Sequence, residues 1–199
     1  MRLVRSDEAA GLLREGAVVA VPTDTVYGLA ASIAFPDAVA RLFSIKRRPA
    51  TSALPVLIDG LDVAERLGVV WPEVARRLSE AFWPGALTIV VPAPHELASV
   101  VNSAADTVGF RVPDDALLLE VLVSCGPLAV SSANDHGGPP CHNANDVIGT
   151  FAGRDGLDGV LDGGERSGRV STVVAIEESG WRVLRDGSVT TESLARALR

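Results

Sequence analysis

The stretch IKRRPATSALPVLI, residues 45–58, sets Lys46, Arg47 and Arg48 side by side and follows them with Pro49. A lysine and an arginine around one point are a common way to hold phosphate, a compact charge beside a planar fork. Cations at a helix C-terminus also complement the helix dipole, worth about 0.3–1 kcal/mol each. The residue before a proline is pushed out of helical geometry, so a helix must end here. The chain then leaves extended, which would put Lys46 and Arg48 on one side and Arg47 on the other. Taken alone, the stretch leaves both readings open.

Three further segments carry residues fit for a polar site. In DTVGFRVPDD, residues 106–115, strand alternation turns Val108, Phe110 and Val112 toward a core and Thr107, Gly109 and Arg111 the other way. Gly109 would leave a bare patch where a ligand approaches the backbone. Arg111 suits a carboxylate through a bidentate pair; a solvent-facing Arg111 paired with Asp114 or Asp115 fits equally well. AVSSANDHGGPP leads a strand into a loop where Ser132 and Asn134 offer donors without bulk. Ligands favour such loops, but the same residue types make ordinary turns. VPTDTVYGLA brackets Asp24 with Thr23 and Thr25. Its hydroxyls could hold a small polar substrate and Asp24 a metal-bound phosphate, against simple capping of the next turn.

Common catalytic signatures are missing. There is no Walker A pattern and no G-x-G-x-x-G; GVLDGGERSG lacks the Lys-Ser/Thr ending. No G-x-S-x-G elbow or Cys/His arrangement points to covalent catalysis. Cys125 and Cys141 read as reduced thiols rather than a disulfide framework. His95, His136 and His142 have no ligand spacing, and adjacent Cys141-His142 lacks a second pair, so no structural zinc is expected.

These residues need a scaffold. The 199 residues are 47% hydrophobic, enough for one sizeable α/β domain, here taken as residues 1–199. The net charge of -7 disfavours sequence-blind attachment to nucleic acid without excluding a local basic pocket. No apolar run reaches the roughly 20 residues of a membrane helix, and the N-terminus turns acidic before a signal-peptide core develops. No membrane association and a cytoplasmic location are therefore expected. SDEAAGLLREG reads as a helix with Ser6 at its N-cap and Gly16 as its stop. FPDAVARLFSIK, DDALLLEVLVSC and TESLARALR read as further helices, the first with Val39, Leu42 and Phe43 inward, and a helical region containing WPEVARRLSEAFW separates ALPVLI from ALTIVVP. AVVAVP, ALPVLI, ALTIVVP, TVGFRV, PLAVSS, GVLDGG, STVVAI and WRVLRDG read as strands. Their alternation without a linker predicts one α/β domain with a mixed sheet.

In order and spacing, PTDTVYGLA, KRRP, WPGALTIVVP, VGFRVPDD, SSANDHGGPP, DGG, STVV and VLRDG together resemble the YrdC-like threonylcarbamoyl-AMP synthases over nearly the whole chain. The resemblance implies a twisted mixed α/β sheet with flanking helices and a basic cavity, in the family's short, single-domain form. It implies a nucleotidyltransferase making threonylcarbamoyl-AMP and pyrophosphate from ATP, L-threonine and bicarbonate, for a separate transferase that modifies tRNA. Lys46 and Arg48 would be catalytic. ATP would meet Lys46, Arg48, Ser52, Thr107, Ser132, Asn134, Pro140 and Arg185, with Mg2+ bridging its phosphates. Threonine would be held by Thr25, Arg111, Val130 and Ser171. Arg47 is left as surface. The chain departs from the pattern at Ser52, where many relatives carry Lys or Asn, and at Leu57, where some carry His. The alternatives are a related carbamoyl-handling branch and a module that binds double-stranded RNA.

Overall fold

The computed structural model describes residues 1–47, 53–135, 137–178 and 180–199. In chain order the elements are β1 (Arg2–Val4), α1 (Ser6–Arg14), β2 (Val19–Val21), β3 (Gly28–Ser32), α2 (Pro36–Lys46), β4 (Val56–Leu57), α3 (Leu61–Arg66), α4 (Glu73–Phe82) and β5 (Leu87–Pro92). They continue as α5 (His95–Val101), β6 (Thr107–Arg111), α6 (Ala116–Cys125), β7 (Leu128–Ser132), α7 (Ala144–Phe151), β8 (Gly159–Leu161), β9 (Thr172–Glu177), β10 (Gly180–Arg185) and α8 (Thr191–Ala197). Among the described residues, all ten strands join one sheet in the order β1-β8-β2-β3-β7-β4-β6-β5-β9-β10. The pairing is mixed: β4 runs parallel to β6 and antiparallel to β7, and β5 runs parallel to β9. The expected mixed α/β sheet is present. No helix among the described residues is long and apolar enough to cross a membrane.

Alternation along the strands builds two cores. In β3, Leu29 and Ala31 join a cluster with Val39 and Leu42 of α2 and Leu78 of α4, whereas Ala30 turns to Leu13 of α1 and Leu118 and Leu122 of α6. Each fully buried leucine contributes roughly 1.5–3 kcal/mol by leaving water. In β6 the faces divide as the sequence predicts, with Val108 and Phe110 in the larger cluster.

Several local expectations are corrected. Ser6 is the first residue of α1, not its cap; the cap is Arg5, whose backbone N–H donates to Glu8 Oε2 at 3.1 Å. β1, β3, α5 and α7 are elements the sequence patterns did not mark. GLAAS lacks β-branched residues, so its strand is specified by neighbours on both sides rather than by propensity. Gly28 belongs there because a Cβ would stand 2.5 Å from Val130 Cγ1. Gly109 offers no open approach, since Thr88 Cγ2 and Val90 Cγ2 would lie 3.1 and 3.3 Å from its Cβ.

Candidate active site

The expected polar residues converge from distant segments on one cleft of about 130 Å³, lined among others by Thr25, Leu57, Arg111, Val130, Ser132, Ser171 and Arg185. Register explains how: Leu57 of the short β4 pairs with Arg111 on one side and Leu128 on the other, holding β6 two strands from β7.

Arg111 is 5% exposed and does not face solvent. Its Nε donates to Gly85 O at 2.9 Å, Nη1 to Thr25 Oγ1 at 3.3 Å and Nη2 to Asp24 Oδ1 at 2.6 Å. The pairing to Asp114 or Asp115 is not the one formed; Asp115 instead caps α6 and binds Arg166 Nη2 at 2.6 Å. Burial pushes the Arg111 guanidinium down, and Asp24 opposes that shift. A guanidinium starts so high that it stays charged. Asp24, offered by the sequence for a metal-bound phosphate, is therefore committed to an ion pair. Thr23 Oγ1 donates to Val26 O at 2.7 Å and lies 2.9 Å from Thr25 Oγ1, which ties the turn under Arg111.

The second station is at the end of α2. The helix stops at Lys46, and Arg47 takes a left-handed conformation at φ 50° as its C-cap. Arg47 is exposed, as expected, but Lys46 turns inward to 3% exposure. Its Nζ donates to Ser132 O, and to Asn134 Oδ1 at 3.0 Å. Ser132 Oγ also donates to Asn134 Oδ1, at 2.6 Å. Lysine, serine and asparagine thus form one cluster, and Ser132 belongs to both the cluster and the cleft.

Ser171 and Arg185 also line the cleft. Arg185 Nη2 donates to Ser171 Oγ at 2.9 Å and to its carbonyl at 2.8 Å, and Ser171 Oγ lies 3.1 Å from Thr88 Oγ1. The segment reaching Ser171 passes close over Thr25: a Cβ on Gly168 would stand 2.7 Å from Asp24 O and 2.8 Å from Thr25 Cα. Tyr27 secures this segment by accepting from Gly163 N and donating to Gly164 O, both at 2.9 Å. His142 secures it too, with Nδ1 donating to Arg166 O at 2.6 Å.

Thr107 and Pro140 are not in the cleft lining. Thr107 is half-buried at the far end of β6 and receives Asn102 Nδ2 at its carbonyl and hydroxyl, each at 3.1 Å. Pro140, also half-buried, precedes Cys141, whose N–H donates to Ala133 O at 3.1 Å. Arg48 and Ser52 lie outside the described residues. Sequence reasoning missed Asp24 as the partner of Arg111, the role of Gly168 and the hydroxyl of Thr88. Thr88 left one signal, a polar side chain alternating with apolar ones in ALTIVVP. Among the described residues no three His, Cys, Asp or Glu side chains gather to hold a metal ion.

Comparison with known proteins gives this arrangement a setting. A threonylcarbamoyl-AMP synthase of Pyrococcus abyssi is 38% identical over 192 residues, covering 96% of this chain and 56% of that protein. A threonylcarbamoyl-AMP synthase of Bacillus subtilis is 40% identical over 190 residues, covering 94% and 54%. The chain spans about half the length of these curated relatives. The crystal structure of P. abyssi Sua5 complexed with L-threonine superposes with a TM-score of 0.93 at 35% identity, covering 100% of this chain and 61% of that one. The Sua5/YciO/YrdC family model, described as "Telomere recombination", matches residues 11–187. With that match across most of its length, the chain belongs to the Sua5/YciO/YrdC family.

Proposed function

We propose that the protein is an L-threonylcarbamoyladenylate synthase that uses ATP, L-threonine and bicarbonate. The observation that carries this reading is the double membership of Ser132, which meets Lys46 and also lines the cleft that holds Arg111. A site with phosphate-binding chemistry at one end and carboxylate-binding chemistry at the other suits two substrates side by side. Two relatives named threonylcarbamoyl-AMP synthase support this reading, and a structural neighbour complexed with L-threonine supports the amino-acid end of the site.

Arg111 has five N–H groups; three are engaged by Gly85, Thr25 and Asp24, leaving two for the threonine carboxylate. Thr25, Ser171 and the backbone at Val130 would hold the rest of the amino acid, with Leu57 as an apolar neighbour. Lys46, Ser132, Asn134 and Arg185 would meet the nucleotide, joined by Arg48, Ser52, Thr107 and Pro140. The threonine amine adds to bicarbonate with loss of water, giving a carbamate. A carbamate oxygen attacks the α-phosphorus, and the bond to pyrophosphate breaks as that group leaves. Such a transfer depends on alignment and charge neutralisation more than on covalent help. Magnesium, where it accompanies ATP, would draw its ligands from phosphate and water, because Asp24 is committed to Arg111. The product would pass to a transferase acting on tRNA.

The test is incubation with ATP and bicarbonate, with and without threonine, measuring pyrophosphate and adenylate. Threonine-dependent release supports the synthase. Threonine-independent release points to a carbamoyl-handling enzyme. No release, with tight salt-sensitive binding of double-stranded RNA, points to a binding module.

A further inference from the structure

Asp135 is an anion in the wrong place for a triphosphate site. It follows Asn134, which accepts from Lys46, and its side chain is 49% exposed. We infer that Arg154 is a positioning residue that masks the Asp135 carboxylate, so that the Lys46–Ser132–Asn134 cluster presents net positive charge to ATP. This rests on the proposed nucleotide site and goes beyond it, since Arg154 does not line the cleft.

The geometry is bidentate. Arg154 Nη1 donates to Asp135 Oδ1 at 2.6 Å and Nη2 to Oδ2 at 2.9 Å. Nη1 also donates to Ile45 O at 3.2 Å, satisfying a carbonyl in the last turn of α2 directly before Lys46. The guanidinium carbon lies 5.2 Å from the ring centroid of Phe151, which is fully buried, so the fork is backed by core. One side chain therefore ties the Ser132–Asn134 loop to the end of the helix that supplies Lys46. Asp135 is held ionised, with Arg154 pulling its carboxyl below the ordinary range and Arg47 and Lys46 adding smaller effects in the same direction. Its charge must be answered either by Arg154 or by repulsion of the incoming phosphates.

Calorimetric titration with ATP alone tests this on wild type, Arg154→Gln, Asp135→Asn, the double variant and Arg154→Lys. Losing the mask should weaken ATP binding about tenfold in Arg154→Gln, by the Coulomb energy of one added negative charge near a polyanion. That deficit should shrink as salt is raised. Asp135→Asn should bind ATP as well as wild type or better, and the double variant should return to within about twofold. Arg154→Lys, which keeps the charge, should stay within about threefold. A purely structural pair predicts the opposite: Asp135→Asn as weak as Arg154→Gln, with no recovery in the double variant, and that result overturns the inference. Absence of ATP binding by wild type overturns it as well. ATP binding in this order without threonine-dependent pyrophosphate release would instead reject the synthase reading alone.

Discussion

Arg111 Nη2 stands 2.6 Å from Asp24 Oδ1, in an ion pair whose side chains are only 7% and 14% exposed. Neither residue predicts the other from sequence distance; the turn closed by Thr23 and the strand ending at Arg111 bring them together. The pair, with the bonds to Gly85 and Thr25, fixes the orientation of the guanidinium at the cleft. Removing Asp24 strands a buried positive charge, which is costlier than the pair was worth. Asp24→Ala should lose about 3 kcal/mol of stability, and Asp24→Asn less, because an amide oxygen can still accept. Urea denaturation of the two variants checks the order.

Lys46 is the inward member of the cation run, and its ammonium is held by Ser132 and Asn134. Lys46→Met keeps the aliphatic stem and removes the charge. Threonine-dependent pyrophosphate release should fall about a hundredfold, the scale of losing one preorganised donor to a developing charge. Far-UV circular dichroism should stay native.

What the sequence made legible here follows from side-chain chemistry. Arg111 opposite Phe110 was readable because a strand alternates; Lys46 does part from Arg47, but through a left-handed helix cap at Arg47 rather than the extended exit expected before Pro49. Partners were not readable: Arg111 offered Asp114 and Asp115 nearby, and the fold chose Asp24. β3 was hidden for a related reason, since GLAAS has weak strand preference and is imposed by β2 and β7. The site residues were grouped by resemblance, and the cleft brings six of them together (Thr25, Arg111, Val130, Ser132, Ser171 and Arg185). Thr107 and Pro140 stand outside its lining.

Two glycines should respond in opposite directions. Gly168→Ala places a Cβ 2.7 Å from Asp24 O and 2.8 Å from Thr25 Cα, with rigid backbone on both sides. It should cost about 1–3 kcal/mol and raise KM for threonine more than for ATP. Gly11, inside α1, has nothing within 4 Å of its Cβ position. Gly11→Ala should gain about 0.5–1 kcal/mol and leave both KM values unchanged. Thermal melts and steady-state kinetics on the two variants measure this.

Burial pushes the Cys125 thiol from its ordinary 9.0 up to about 11. The native state keeps this proton after the unfolded chain has released it. Stability should therefore fall as pH rises from about 9 to 11, the window in which the unfolded state binds fewer protons. At pH 8.5, iodoacetamide should modify Cys125 much more slowly in native protein than in urea; mass spectrometry of the Cys125 peptide reads both rates.

The central claim is that one cleft receives an amino acid and a nucleotide together, and a crystal structure with L-threonine and a non-hydrolysable ATP analogue tests it most directly. The threonine carboxylate should lie on Arg111, phosphate oxygens on Lys46 and Ser132, and the threonine amine should face the α-phosphate. Nucleotide density in a separate place, with the Lys46–Ser132 contact unchanged and no ligand bridging it to Arg111, would contradict the account.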